Sequence, residues 1–505
     1  MRLADMLRGN ALAKADKPLL IDETRTTSFA EMNDLTERVA VGLRARGIEV
    51  GDRVALLLPN GVDFVVAFMA VNKAGAVSVP INPKLAAGEV AHLLADSKPT
   101  AIFLSSATRG TVEQAAPDGS VMRIAVNGAE GTETDLDDLA ASPPDVLRLP
   151  SGLDDCMIGY TSGTTGQPKG VLLTDANFII ANGLMNGFMW GLTADERYLV
   201  TTPMVHRTGL GRIVNAVCHG STVYSRQRFD PDETRELIAR EQITVLSMVP
   251  TVGRLLLEEI ERSPESFASV TKIVATGEAF PVDLKRRMME ALPQMEIHSY
   301  FAMTEAGLVS SLTPEHQLTH PSSVGMPAPG VEVELWDETG DRVPQGEIGE
   351  LCVRTGEPGR WLIMKGYYNQ PGLTGEVMDD GWFRTGDMAR FDEEGFLYIV
   401  DRKKDMVLTG GYNVYSKDVE QVIRDMEAIA DAAIIGVPDE MYGERVVAIV
   451  QLNRDATLTG DEVIEHCRKN LAGYKKPREV HVVAEMPRTS TGKLNKAELR
   501  EQFRP

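Results

Sequence analysis

The run Tyr160-Thr161-Ser162-Gly163-Thr164-Thr165-Gly166-Gln167-Pro168-Lys169-Gly170 concentrates glycines, hydroxyls and a lysine in one short stretch. That composition suits a phosphate chain. Glycines let the backbone approach an anion and turn through positive φ, while successive N–H groups form a concave nest and hydroxyls add donors or a metal ligand. The common nucleotide pattern G-x-x-x-x-G-K-[ST] fails, because Pro168 precedes Lys169 and Gly170 follows it. A flexible linker would need no Pro-Lys-Gly ending directly ahead of Val171-Leu172-Leu173.

Three further constellations follow along the chain. In Phe301-Ala302-Met303-Thr304-Glu305, Thr304 and Glu305 offer oxygen ligands for Mg²⁺, although an isolated Thr-Glu also reads as a helix cap with its following acid. In Trp382-Phe383-Arg384-Thr385-Gly386-Asp387 a carboxylate after a glycine turn can accept both hydroxyls of a ribose; alone, Thr-Gly-Asp is a turn. Pro487-Arg488-Thr489-Ser490-Thr491-Gly492-Lys493-Leu494 sets a lysine on a small-residue loop, equally readable as a solvated tail.

In this order the four stretches resemble the adenylate-forming superfamily: acyl- and aryl-CoA synthetases, adenylation domains of peptide synthetases, and beetle luciferases. The resemblance runs from about Pro18 to Arg500. It implies an α/β fold: a large N-terminal domain (1–400) of two α/β subdomains plus a small β-barrel, then a small mobile α+β C-terminal domain (401–505). The implied reaction has two halves. A carboxylate attacks the α-phosphorus of MgATP to give an acyl-adenylate and pyrophosphate, and a thiol then displaces AMP. Phosphoryl attack asks the protein for positioning and charge neutralisation rather than covalent help.

By the same resemblance Thr161, Ser162, Gly163, Thr164, Thr165, Gly166 and Lys169 hold the β- and γ-phosphates. Glu305, with Thr161, binds Mg²⁺, and Thr304 meets the α-phosphate. Gly277, Glu278, Ala279 and Phe301 form the adenine slot. Asp387 holds the ribose with Arg402 assisting. Lys493 bridges carboxylate and α-phosphate, where a flexible point charge follows developing negative charge. Asp401, charged and expected to be exposed, takes the hinge position. For CoA, Gly410 and Gly411 admit the pantetheine arm and Tyr442 and Tyr474 flank the adenine. Lys475, Lys476 and Arg478 meet its phosphates, with a solvated basic patch as the other reading. His206, Thr208, Met248, Val249, Thr276, Gly277, Phe301, Ala302 and Met303 wall the acyl pocket, His206 as its gate. A lone histidine is otherwise more often structural.

Two departures bear on the acid. The family usually carries tyrosine then glycine where this chain has Phe301-Ala302, so the Ala302 methyl reshapes the pocket. Arg207 is not expected beside His206; its side chain is read as pointing to solvent, or else as meeting a second polar group on the acid. The mostly apolar walls favour a medium-chain or aromatic acid. With no carrier domain after Pro505, CoA is the expected acceptor. A carrier-protein phosphopantetheine is the alternative thiol, and a non-catalytic acyl-nucleotide-binding protein is the alternative of another class.

The elements that must position these residues follow from hydrophobic pattern. The first half alternates apolar runs with helical spacing: Val54–Asn60 as a buried strand and its turn, a helix over Val62–Ala74, then strands at Ala76–Pro80 and Thr100–Leu104. This order predicts βαβ units and mainly parallel sheets. Pro117–Pro150, rich in Asp, Gly, Pro and Ala, is expected at the surface. After about residue 320, alternating strands such as Val331–Leu335 between glycines predict an antiparallel, barrel-like region. Beyond the charged run Asp401–Asp405 the pattern predicts a helix over Ser416–Met426, strands around Ala432–Val437 and Val446–Leu452, and a helix near Thr459–Asn470.

Composition frames this reading. At 505 residues, two to four domains are expected. A net charge of −21 disfavours nucleic acid and anionic membranes as partners. The four cysteines, with no C-x-x-C spacing, fit a reducing compartment. There is no signal-peptide pattern and no long uncharged apolar window, so a cytoplasmic enzyme without a membrane span is expected.

Overall fold

A computed structural model of the chain describes residues 2–147, 149, 155–161, 168–276, 280–488 and 494–504. The chain divides into two compact units. The first comprises Met1–Thr161, Pro168–Glu332 and Val353–Phe383; the second includes Val333–Cys352 and the chain from Arg384 onward.

The first unit is built on two sheets. Among the described residues one sheet has the order Gly366–Tyr367, Lys169–Thr174, Asp155–Thr161, Val77–Pro80, Arg53–Leu57, Ala101–Ser105, Met122–Val126 and Thr134–Asp135. The other runs Met326–Pro327, Gly307–Leu312, Glu296–Met303, Lys272–Ala275, Val245–Met248, Arg197–Val200, Thr222–Ser225, Pro18–Ile21 and Thr26–Ser28. Interior pairs are parallel, and antiparallel pairs lie toward the edges. The expected helix Val62–Ala74 is present, and every residue of it except Asp63 is buried. A helix apolar around its whole circumference must be covered on all sides, and each Val, Phe or Met so buried contributes about 1.5–3 kcal/mol.

One stretch departs from expectation. Within Pro117–Pro150, Met122–Val126 is a strand paired in parallel with Ala101–Ser105, and Ile124 and Ala125 are fully buried. The short run Ile124-Ala125-Val126 supplies inward side chains that the surrounding Asp, Gly and Pro residues mask in the sequence.

The barrel-like region is an open, half-barrel sheet containing the strands Glu332–Trp336, Gly349–Arg354, Trp382–Phe391 and Leu397–Arg402. The C-terminal part is α+β. Strand Gly443–Leu452 pairs antiparallel with Ile429–Asp439 and parallel with Glu479–Val483. Helices Ser416–Arg424 and Gly460–Asn470 pack on one core, and Met486 and Leu499 belong to another. Thr459 caps its helix reciprocally with Glu462, which fixes the helix start by satisfying two otherwise orphaned N–H groups. No described helix is long and apolar enough to cross a membrane.

Candidate active site

In the first unit the flanks of the glycine-rich run form an antiparallel pair, with Thr161 directly opposite Lys169. Thr161 Oγ1 donates to Glu305 Oε1 at 3.4 Å, and the Tyr367 hydroxyl donates to the same oxygen at 3.3 Å. Lys169 Nζ lies 5.4 Å from the centroid of the Tyr367 ring. A carboxylate, a lysine and two hydroxyls from three separate segments therefore meet at the neck of the run. The Glu305 backbone is fixed as well, since its carbonyl accepts Met364 N–H at 2.7 Å. The segment carrying Met364 is stitched down through Asn177 Nδ2, which donates to Trp361 O at 2.7 Å and Ile363 O at 2.9 Å.

Arg207 overturns the solvent-facing reading. Its Nη1 donates to Thr304 O at 2.6 Å, its Nη2 donates to Asn177 O at 3.0 Å, and the guanidinium lies 5.6 Å from the Phe178 centroid. Desolvation by burial pulls its pKa down to about 10. Gly307, at φ +69°, leaves room for it, because a Cβ there would stand 3.0 Å from Nη2. The first residue of helix Arg207–His219 thus reaches the backbone of the Thr304–Glu305 turn, through carbonyls that no side-chain pattern announces.

The expected acyl-pocket walls separate into groups. His206 is the N-cap of helix Arg207–His219, and both His206 and Thr208 are half-buried. Met248 is 3% exposed and packs into the core with Leu256, Leu284 and Met288, leaving Val249 half-buried as the next helix's N-cap. Thr276 is buried and donates to Tyr300 O at 3.1 Å. Phe301 and Met303 are half-buried and Ala302 is exposed, all three on strand Glu296–Met303.

In the second unit Asp387 lies opposite Arg402 across two paired strands, and Arg402 Nε meets its carboxylate at 2.7 Å. Asp387 is 2% exposed, so its charge is held in place by this partner. Asp401 is not exposed as expected: it is 1% exposed and accepts from the backbone N–H and hydroxyl of Ser416, the first residue of helix Ser416–Arg424. Burial raises its pKa, and the nearby Lys496 opposes that rise. Lys496 Nζ also donates to Ser416 Oγ at 2.6 Å and pairs with Glu420 at 2.5 Å. Arg488 and Leu494 form an antiparallel bridge and Asn495 N–H donates to Pro487 O at 2.8 Å, closing the neck of the lysine loop.

The residues expected to meet CoA cluster in the second unit. Gly410 and Gly411, at φ +58° and +80°, form the two-residue turn between Val407–Thr409 and Tyr412–Val414. Positive φ at both positions is what such a hairpin turn requires. Gly410 N–H donates to Tyr442 O at 2.8 Å, and Arg478 lies 3.8 Å from the Tyr442 centroid. Tyr474 stacks on Tyr412 at 4.7 Å, and both rings are exposed. Lys475 pairs with Asp418 at 2.7 Å, and Lys476 is half-buried.

A model of the AMP-binding enzyme family matches residues 7–368, and one of the AMP-binding enzyme C-terminal domain matches residues 418–493. The chain belongs to the AMP-binding enzymes. It is similar to a feruloyl-CoA synthase from Amycolatopsis sp, 35% identical over 481 residues and covering 94% of each chain. A long-chain-fatty-acid–CoA ligase from Mycobacterium tuberculosis is 35% identical over 485 residues, covering 94% of this chain and 93% of that one. Among solved structures, the o-succinylbenzoate CoA synthetase of Bacillus subtilis in complex with its acyl-adenylate intermediate superposes with a TM-score of 0.86. It is 29% identical, with 99% of this chain and 98% of that chain covered.

Ser162, Gly163, Thr164, Thr165, Gly166, Gly277, Glu278, Ala279 and Lys493 lie outside the described residues. Two residues of this AMP-binding enzyme were not singled out by sequence for the position they hold. Tyr367 sits in Gly366-Tyr367-Tyr368, a stretch that carries no motif in the sequence. Arg207 was noticed, but for a different role.

Proposed function

We propose the following division of labour in an enzyme that joins a carboxylic acid to CoA at the expense of ATP, through an acyl-adenylate. The observation that carries it is the Glu305 carboxylate, which accepts Thr161 and Tyr367 hydroxyls at the neck of the glycine-rich run. Mg²⁺ keeps several waters and takes one or two protein carboxylates besides substrate phosphates. A single carboxylate flanked by hydroxyls fits that demand, so Glu305, with Thr161, would hold the ion, which neutralises phosphate charge. Lys169 and the run from Thr161 to Gly166 hold the β- and γ-phosphates, and Thr304 the α-phosphate. Arg207 fixes the Thr304–Glu305 backbone.

Gly277, Glu278, Ala279 and Phe301 receive the adenine, and Asp387, oriented by Arg402, receives the ribose. Lys493 neutralises charge between the attacking carboxylate and the α-phosphate. We assign the domains to 1–400 and 401–505, with Asp401 as the hinge. Its carboxylate stays with helix Ser416–Arg424, so turning would fall on its backbone. Gly410, Gly411, Tyr442, Tyr474, Lys475, Lys476 and Arg478 receive CoA; Arg478 over Tyr442 and the exposed Tyr412–Tyr474 stack offer a flat, cationic surface of the kind a nucleotide base and phosphates require. The acid enters past His206 and Thr208, alongside Val249, Thr276, Ala302 and Met303, and is medium-chain or aromatic.

The test is pyrophosphate release across a panel of acids, with thioester detection when CoA or a phosphopantetheinyl carrier protein is supplied. Acid-dependent release with CoA thioester formation is expected. Lys493→Ala should abolish release while still converting supplied acyl-adenylate to thioester. Release without any CoA thioester would move the acceptor to the carrier thiol, and no release with any acid would sink the ligase reading.

A further inference from the structure

Arg212 lies on helix Arg207–His219 and is 1% exposed, among the largest fully buried side chains of the chain. Its Nε and Nη1 have no hydrogen-bond partner, and its Nη2 reaches only the Tyr300 hydroxyl, at a long 3.5 Å. No ion pair among the described residues includes it. Its guanidinium lies 4.8 Å from the centroid of Trp190, whose Nε1 is also buried without an acceptor. A buried cation without a counter-charge is costly, and buried donors are nearly always satisfied. An anion is the partner that would satisfy these donors and the buried charge together.

The same strand connects this cluster to the acyl site. On Glu296–Met303 alternate side chains share a face, so His298 and Tyr300 point the same way, and Ala302 follows just past a register irregularity between Phe301 and Ala302. The rings of His298 and Tyr300 lie 6.4 Å and 5.2 Å from Trp190. Along that strand exposure falls from Ala302, which is open, through Tyr300, which is half-buried, to His298 at 4%. On the helix, Thr208 and Arg212 are four residues apart and therefore neighbours. An acyl chain entering between Thr208 and Ala302 would run inward toward the Arg212 guanidinium.

We infer that Arg212 is the specificity residue for the far end of the acid: the substrate carries a second carboxylate, which the guanidinium binds. This rests on the reading of the chain as an acid:CoA ligase. Arg207, the other arginine of this helix, is unsuited to the task because its guanidinium is engaged by backbone carbonyls.

The experiment compares matched acids of equal length and shape that end in carboxylate, ketone or methyl, in wild type, Arg212→Met and Arg212→Lys. It reads kcat/KM for pyrophosphate release and, independently of turnover, the shift in Tm on adding each acid. Wild type should favour the diacid over the methyl-ended acid by at least about 10²-fold, since sites built around a buried polar partner strongly reject analogues that lack it. In Arg212→Met that ratio should fall to below one, and Arg212→Lys should retain part of it. Arg212→Met without ligand should melt at or above the wild-type temperature, because it removes an unpaired buried charge. A clear drop in that Tm, a wild-type preference for the methyl- or ketone-ended acid, or a ratio unchanged in Arg212→Met would each overturn the inference. So would the absence of both turnover and Tm shift with every diacid. Turnover with any acid keeps the ligase reading intact even when the inference about Arg212 fails.

Discussion

Replacing Arg207 by methionine removes two charge-assisted hydrogen bonds, to Thr304 O at 2.6 Å and Asn177 O at 3.0 Å, and the contact with Phe178. Hydrogen bonds to a charged group are worth about 1.5–3 kcal/mol each, and a cation over a ring about 0.5–2 kcal/mol. Against this stands the desolvation that pulls the guanidinium down to about 10. That depression corresponds to about 3 kcal/mol, at roughly 1.4 kcal/mol per pH unit, and methionine escapes it. The net loss is therefore about 0.5–5 kcal/mol. In a unit of this size each kcal/mol moves Tm by about 1–3 °C, so a fall of a few degrees is expected.

The effect on catalysis should be larger. Thr304 and Glu305 are assigned to the α-phosphate and Mg²⁺, and a displacement of about 1 Å in a positioned group can cost about 10²-fold. Steady-state pyrophosphate release, titrated with ATP and with Mg²⁺, should show kcat down about 10²-fold and a raised Mg²⁺ half-saturation. Arg207→Lys should fall in between, because one ammonium cannot span both carbonyls with the geometry of a guanidinium. A variant whose Tm drops while kcat and Mg²⁺ dependence stay within about threefold would refute the positioning role. An unchanged Tm would refute the energetic account itself.

Asp387→Asn should raise KM for ATP at least about tenfold, by weakening charge-assisted acceptance of the ribose hydroxyls. It should cost little stability, because the Arg402 side chain is 42% exposed and can hydrate. An ATP KM equal to wild type would remove Asp387 from the site. Lys285 is 1% exposed and donates to Pro321 O at 2.9 Å, and desolvation lowers its pKa from 10.5 to about 8. Between about pH 8 and 10.5 the unfolded chain holds more protons at this position than the folded one, so the group's destabilising effect is complete below 8 and fades as pH rises. Lys285→Met should therefore raise Tm more at pH 7 than at pH 9.5, by an amount equivalent to about 1–3 kcal/mol; equal gains at the two pH values would count against the buried ammonium.

The chemistry was largely legible because it is carried by residue types in local patterns. A glycine-rich run with a lysine, a Thr-Glu pair, a Thr-Gly-Asp turn and a lysine loop each state their chemistry within a dozen residues. The buried helix Val62–Ala74 was legible for the same kind of reason, since its apolar surface is continuous. The strand Met122–Val126 was not, because its inward residues are few and their neighbours read as loop.

What sequence could not supply was the partner of each charge. Arg207 and Asp401 both looked like surface charges, yet one serves carbonyls on the Thr304–Glu305 turn and the other anchors Ser416. Backbone acceptors leave no trace in side-chain identity, and contacts across a fold obey no local period. Tyr367 joins Glu305 for the same reason, by way of an edge strand that pairs with Lys169–Thr174. The sequence by itself determined the reaction, because phosphate, metal and ribose recognition each demand particular functional groups at short spacing. Only the tertiary structure decided which charges are spent on partners within the fold, like Arg207 and Asp401, and which, like Arg212, are buried without a counter-charge. Burial and partner geometry are properties of the packed chain, not of any segment of it.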